Sequence, residues 1–150
     1  ILSGANLYKA DMGRSNLRSS NLEKAFLQGA NLRRANLKGA NLSGAVFREI
    51  NLSLVTLSEF NLQGVVVSDR VDLSSANLSG ANLSQVNLRY ANFGYAILHQ
   101  TYLMEADFQG ANLTDVSLQG CDLRGATFRN SSLSGINLTE TIMPDGSMHP

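Results

Sequence analysis

Apolar residues return every five positions along this chain, and the polar residues between them repeat with the same period. Starting at Leu7, the steps fall on Met12, Leu17, Leu22, Leu27, Leu32, Leu37, Leu42, Phe47, Leu52, Leu57, Leu62 and Val67. The phase slips by one residue around Ser68, Asp69 and Arg70, resumes at Leu73, and runs in fives to Met143. All 28 centres are apolar and 21 are leucine, so the spacing is a structural constraint rather than an accident of composition. Two positions before the centre stands a small residue, alanine in 14 cases, and one before it stands Asn or Asp in 18. The two positions after the centre are mostly Ser, Gly, Gln, Arg, Lys or Glu.

A five-residue period matches neither a helix of 3.6 residues per turn nor a strand of period two. It also rules out a heptad coiled coil, whose seam needs a spacing of 3.5. The chain must present one large and one small apolar residue inward every five residues and then turn. Glycines two positions after the centre, such as Gly29, Gly39, Gly110 and Gly120, suit a turn that needs positive φ. A short extended piece, a turn, and repetition predict a coil whose sides stack into a solenoid.

Units such as Ala30-Asn31-Leu32-Arg33-Arg34 and Ala76-Asn77-Leu78-Ser79-Gly80 resemble those of the pentapeptide-repeat proteins, and the resemblance runs from Ala5 to Met143. It implies an all-β fold, a right-handed quadrilateral β-helix with four units per coil and the centre and small residues pointing inward. On that reading the 28 units make about seven coils, a rod of roughly 34 Å at ~4.8 Å per stacked strand. The expected organisation is a β-helix over residues 1–143 and a C-terminal tail over 144–150. The ending Thr141-Ile142-Met143-Pro144-Asp145-Gly146 looks like the tails of cyanobacterial members.

Each large apolar residue stacked in the core contributes about 1.5–3 kcal/mol. The repeated Asn is expected to hydrogen-bond along a ladder rather than to hold a ligand. One coil breaks the size rule, since Ile50, Val55, Phe60 and Val65 occupy successive small positions. That coil is expected to be widened or to have altered turns. The phase slip directly after it predicts a bulge at one corner carrying Asp69 and Arg70 outward.

Charge and composition then narrow the function. Twelve bases balance twelve acids, so bulk charge selects neither nucleic acid nor acidic membrane. The balance is uneven along the axis: residues 1–49 hold eight bases against three acids, and the remainder four against nine. The resulting axial dipole could steer end-to-end association of copies. A single cysteine, Cys121, excludes an internal disulfide and leaves the redox compartment open. No apolar run approaches the ~18 residues of a membrane span. The chain opens at Ile1 already inside the pattern, from which a trimmed N-terminus is expected. The cytoplasm is the favoured compartment, with the thylakoid lumen or periplasm also open to members of the resembling family.

Little points to catalysis. His99 and His149 are the only histidines, Cys121 occupies an inward small position, and the acids are scattered over different faces. There is no zinc spacing, phosphate loop or nucleophile elbow. No catalytic, cofactor-binding or metal-binding residue is assigned, and the chain is read as a non-enzyme. The outward positions offer more. Phe26, Val46 and Val66 stand where Asn is the rule, on successive coils of one face, with Leu54 on the adjacent face. Tyr90, Tyr95 and Tyr102, with His99, fall within about one coil as an aromatic girdle.

The expected function is therefore a non-catalytic interaction scaffold whose partner is another protein, not a small-molecule substrate or nucleic acid. The alternative follows from the family resemblance: a DNA mimic that binds DNA gyrase, as the quinolone-resistance members do. Zero net charge and a basic N-terminal half disfavour it. Ice binding would require regular threonine arrays, and threonine takes the outward position before the centre only at Thr56 and Thr127.

Overall fold

The computed structural model describes residues 1–150 other than Ser58, Glu59, Asn61, Gln63, Gly64, Ser68 and Asp69. In it the five-residue units wind into a four-sided coil. Parallel bridges join outward pre-centre residues 20 positions apart, as in Asn6 to Phe26, Asp11 to Asn31, Asn16 to Asn36 and Asn21 to Asn41. Four columns result, and we name the faces by them: A (Asn6, Phe26, Val46, Val66), B (Asp11, Asn31, Asn51), C (Asn16, Asn36) and D (Asn21, Asn41). Two residue pairs on face A form the two strands, β1 (Val46–Phe47) and β2 (Val66–Val67), paired in parallel.

Beyond the irregular coil the offset becomes 21, since Asn51 pairs with Asp72 and Thr56 with Asn77, and it returns to 20 from Asp72 to Asn92. The extra residue therefore enters between Val66 and Asp72, where the sequence pattern slips. Of the expected corner bulge, Ser68 and Asp69 lie outside the described residues. Arg70 is exposed and left-handed (φ 71°), with a long 3.4 Å bond from its N–H to the Arg89 carbonyl.

Nearly every described unit turns for the same reason. The N–H of the next small residue donates to the centre's carbonyl, as Ala30 to Leu27 at 3.0 Å, and the residue between them adopts positive φ. That is the geometry of a type II turn. Glycine is helpful there but not required, for Arg14, Lys24, Tyr90 and Tyr95 hold the same conformation. The Asn or Asp before the centre secures each corner. Its Oδ1 accepts the backbone N–H two residues on, 3.1 Å from Arg33 to Asn31 and 2.9 Å from Gln109 to Asp107. Its amide also reaches the coil above, 2.9 Å from Asn31 Nδ2 to Asp11 Oδ1 and 3.0 Å from Asn112 Nδ2 to Asn92 Oδ1. The ladder expected from the sequence is present, and the turn contact is a second role that the column pattern alone did not show.

Inside, leucines from all four sides fill a continuous core, with Phe93, Phe108 and Phe128 forming an aromatic run. The bulky small-position residues Ile50, Val55 and Val65 are accommodated in the core, whereas Phe60 remains half-buried. The predicted inward direction weakens at both ends: Leu2, Leu7, Met12 and Leu17 are only partly covered, and Leu133 is 41% exposed. The coils they belong to have a neighbour on one side only. Residues 144–150 turn back on the last coil, with Met148 bridging Ile142 antiparallel and His149 N–H donating to the Thr141 carbonyl.

Candidate protein-interaction faces

Face A carries the sharpest departure from the polar surface. Phe26, Val46 and Val66 are stacked in register, 20 residues apart, by direct backbone pairing. Phe26 is 56% and Val66 54% exposed, while Val46 between them is half-buried. An Asn in this column would accept a turn N–H through Oδ1, as Asn6 does from Tyr8 at 3.1 Å. Phe and Val give that bond up and present apolar surface to water instead. Above the column lies a shallow hollow of about 410 Å³, bounded by Gly4, Asn6, Tyr8, Phe26, Gln28 and Val46. Tyr8, which the column pattern did not single out, thereby extends the apolar strip, and Lys9 Nζ lies 5.1 Å from its ring centroid.

The structure does not bring Leu54 to this strip. It is an exposed turn residue (φ 60°) at the corner between faces B and C, beside Thr56 and Phe60. The tyrosines are exposed as expected, but on separate sides. Tyr90 and Tyr95 occupy consecutive corners in left-handed turns, and Tyr102 stands on face D between Asn82 and Asp122. They encircle the rod and do not meet. The Tyr90 ring covers Gly110 so closely that a Cβ there would sit 2.5 Å from it, so a side chain at this position would require the exposed ring to move. Ile97 on face C, 42% exposed, is another apolar outlier that replaces Asn, and the same column logic identifies it.

The chemistry available at these faces is that of contact. Cys121 is buried, its Sγ 2.7 Å from the Leu98 carbonyl, and burial pushes its thiol up to about 11. Thr101 and Thr141 occupy the same inward column and make the same bond, to Leu78 O at 3.0 Å and Leu118 O at 2.7 Å. Cys121 thus stands in a structural role. Two carboxylates are held below the usual range. Asp107 is lowered by the Gln109 N–H, with the Thr127 hydroxyl and Arg89 assisting, and Asp122 by its hydrogen bonds from Arg124. Both belong to surface pairs, and among the described residues no three His, Cys, Asp or Glu gather as metal ligands. Among the described residues no helix is long and apolar enough to cross a membrane.

Comparison with known proteins agrees with this geometry. The profile described as Pentapeptide repeats matches in eight copies, over residues 1–39, 30–69, 69–103 and 106–143. The chain is similar to the crystal structure of HetL, a pentapeptide repeat protein involved in heterocyst differentiation regulation from the cyanobacterium Nostoc sp. strain PCC 7120. The identity is 33% over 98% of this chain and 69% of that one, with a TM-score of 0.74. It is also similar to trypsin-treated QnrB1, a plasmid-mediated fluoroquinolone resistance protein, at 22% identity over 95% of this chain and 74% of the other, TM-score 0.58; that likeness shows the fold alone. No match was found among curated proteins. A right-handed quadrilateral β-helix built from repeats that this profile covers almost end to end places the chain in the pentapeptide-repeat family.

Proposed function

We propose that this chain is a non-catalytic scaffold that holds a protein partner against face A. The observation that carries the reading is the registered column Phe26–Val46–Val66, apolar side chains stacked at a position that bears Asn or Asp in most units. Rigid backbone pairing fixes their spacing, so a partner meets a preformed surface and loses little binding energy to ordering it. Exposed aromatic and aliphatic side chains aligned on a solenoid face are suited to the buried centre of such an interface. Gyrase binding by DNA mimicry is opposed by Arg14, Arg18, Arg33, Arg34 and Lys38, which crowd the first coils with positive charge.

The test compares wild type with the triple variant Phe26→Asn/Val46→Asn/Val66→Asn in affinity capture from the source organism, followed by reconstitution with the purified partner. The substitutions restore the repeat consensus, and circular dichroism verifies that the β-helix survives. A purified partner that binds wild type and loses binding to the variant supports the proposal. Equal binding by both proteins moves the interface off face A, and a chain that captures no partner ends the scaffold reading.

A further inference from the structure

Three exposed apolar residues away from face A border face C, on the opposite side of the rod. Leu54 and Tyr95 stand at the corner between faces B and C, and Ile97 stands on face C two residues beyond Tyr95. The corner row is Arg14, Arg34, Leu54, Ser75, Tyr95, Asp115 and Gly135, one residue per coil, all left-handed with φ between 55° and 70°. An unbroken backbone ladder fixes this row. At each step the corner N–H donates to a carbonyl one coil on, as Arg14 to Arg33 O at 2.9 Å, Arg34 to Ser53 O at 3.1 Å and Asp115 to Ser134 O at 2.9 Å. Face C itself is bridged from Thr56 through Asn77 and Ile97 to Asn137, but no bridge joins Asn36 to Thr56. The bonds from Leu37 N–H to Thr56 O and from Thr56 N–H to Ala35 O are not formed, on the side that Phe60 borders. The corner row passes that open step intact.

This row complements its own reverse. Ser75 is the middle of seven levels, with Leu54 and Tyr95 one level away on either side, Arg34 and Asp115 two levels away, and Arg14 and Gly135 three. The adjoining row on face C follows suit, with Asn77 at its middle and Thr56 and Ile97 one level either way. A two-fold axis crossing the rods at Ser75 and Asn77 runs two copies antiparallel and lays each row on its own reverse. Leu54 and Thr56 then meet Tyr95 and Ile97 of the second copy, and Arg34 meets its Asp115. Arg14 comes over Gly135, which has no side chain to obstruct it and adjoins the same carboxylate. Each contact occurs twice by symmetry.

Charge selects the antiparallel arrangement. Arg14, Arg18, Arg34 and Lys38 occupy the first two levels of face C and its edges. Beyond the fourth level the same surface carries Asp115 and Glu140 and no lysine or arginine. Glu59, on the third level, lies outside the described residues. Arg34 and Asp115 enter none of the ion pairs found among the described residues, which engage Glu23, Asp107 and Asp122. A parallel pair would set bases on bases, whereas the antiparallel pair sets them on acids and cancels the axial charge separation inside a closed dimer. Seven levels at ~4.8 Å and a width of about 16 Å give roughly 1,100 Å² over both copies, above the ~1,000 Å² a specific interface needs. We propose that this chain pairs with a second copy of itself through face C and its corner with face B, as an antiparallel two-fold dimer of roughly micromolar affinity. The pair leaves both face A columns turned outward, so it stands independently of the scaffold reading.

The test is sedimentation velocity of the full chain over a concentration series. A monomer–dimer equilibrium that weakens with added salt is expected. Arg34→Asp and Asp115→Arg should each weaken it roughly tenfold or more. The double variant carrying both should recover wild-type affinity, because the pair re-forms with its signs exchanged. Tyr95→Ser should weaken dimerisation comparably, and circular dichroism checks that every variant keeps the β-helix. Orientation is read by cross-linking with a short bismaleimide in a Cys121→Thr background. Ser75→Cys chains, which meet at the axis, should link, and Arg14→Cys chains, about 29 Å apart, should not. The face A triple variant should dimerise as wild type does. The proposal is overturned by a chain that stays monomeric up to roughly millimolar concentration, or by a double variant no better than its single parents. Arg14→Cys chains linking as readily as Ser75→Cys chains would overturn it too, as would dimerisation lost in the face A variant and kept in Arg34→Asp.

Discussion

Replacing Phe108 with alanine tests whether the aromatic run is the strongest part of the core. Phe108 is fully buried between two rings, stacked on Phe128 at 5.0 Å and 5° and meeting Phe93 edge-on at 5.7 Å and 60°. A buried Phe→Ala change costs about 3–5 kcal/mol through lost transfer energy and the residual cavity. Of this, two aromatic pairs account for about 0.5–1.5 kcal/mol each. In a chain of this length that corresponds to a fall in Tm of roughly 6–20 °C. Phe108→Leu restores the repeat's usual centre and retains most of the apolar burial, so its loss should be confined largely to the pair contributions. Phe128→Ala removes a half-buried ring and should cost less than Phe108→Ala. Urea unfolding followed by circular dichroism gives the magnitudes. Amide exchange at Phe108 and Thr127, bonded to Thr127 O and Ala106 O, shows whether the damage is local, as solenoid coupling between neighbouring coils requires. A loss below about 1.5 kcal/mol for Phe108→Ala, or one no larger than that of Phe128→Ala, would refute the assignment of the core's weight to this run.

Two further changes probe ionisable groups. Asp107 is held below the ordinary carboxylate range, chiefly by the Gln109 N–H, so its contribution is present above that range and disappears as pH falls through the folded-state value. Asp107→Asn retains an acceptor for Gln109 but gives up the charge beside Arg89, 3.7 Å away. Its Tm should therefore lie below wild type at neutral pH and converge on it in acid, and a difference that is constant or grows in acid contradicts the account. Cys121 has the opposite sign. Its raised value, about 11, means that its contribution is complete below the unfolded thiol's range and is lost as pH rises toward that value. A thiol-reactive probe at mildly alkaline pH should label the unfolded chain and leave the folded one unlabelled. Cys121→Thr, which copies Thr101 and Thr141, should match wild type in thermal stability, and rapid labelling of folded protein would show that the thiol is not held as described.

The period of five carries the fold because burial alone enforces it. A large residue at every fifth position can be sequestered from water only by a chain that turns after each one. The same period conceals the site. It treats all units alike, whereas a surface depends on which of four columns a unit joins, and that requires both the coil length and the position of the slip. Phe26, Val46 and Val66 were legible as one face because all three precede the slip, so an offset of 20 applies to each. Tyr8 escaped because it is a turn residue that reaches the strip from the corner above. Leu54, read as lying on the adjacent face, is the second residue after its centre and so stands at the far corner of face B, where it borders face C.

Phe60 shows where sequence reasoning stops being sufficient. Four bulky residues at successive small positions announce a disturbed coil, but not which corner yields. Ile50, Val55 and Val65 are branched aliphatics that the core accepts, being only somewhat larger than the alanine they replace. The phenyl ring of Phe60 is the one that does not fit, and the open step of the ladder lies on the side it borders. Sheet hydrogen bonds between coils are cooperative with core packing, so one oversized residue is relieved by the nearest ladder step rather than shared evenly around the ring. Restoring alanine at that single position should therefore rebuild the missing bonds between Leu37, Thr56 and Ala35 even with Ile50, Val55 and Val65 left in place. If those amides remained unprotected in Phe60→Ala, the break would belong to the whole coil, and the four residues would have to be treated as one unit.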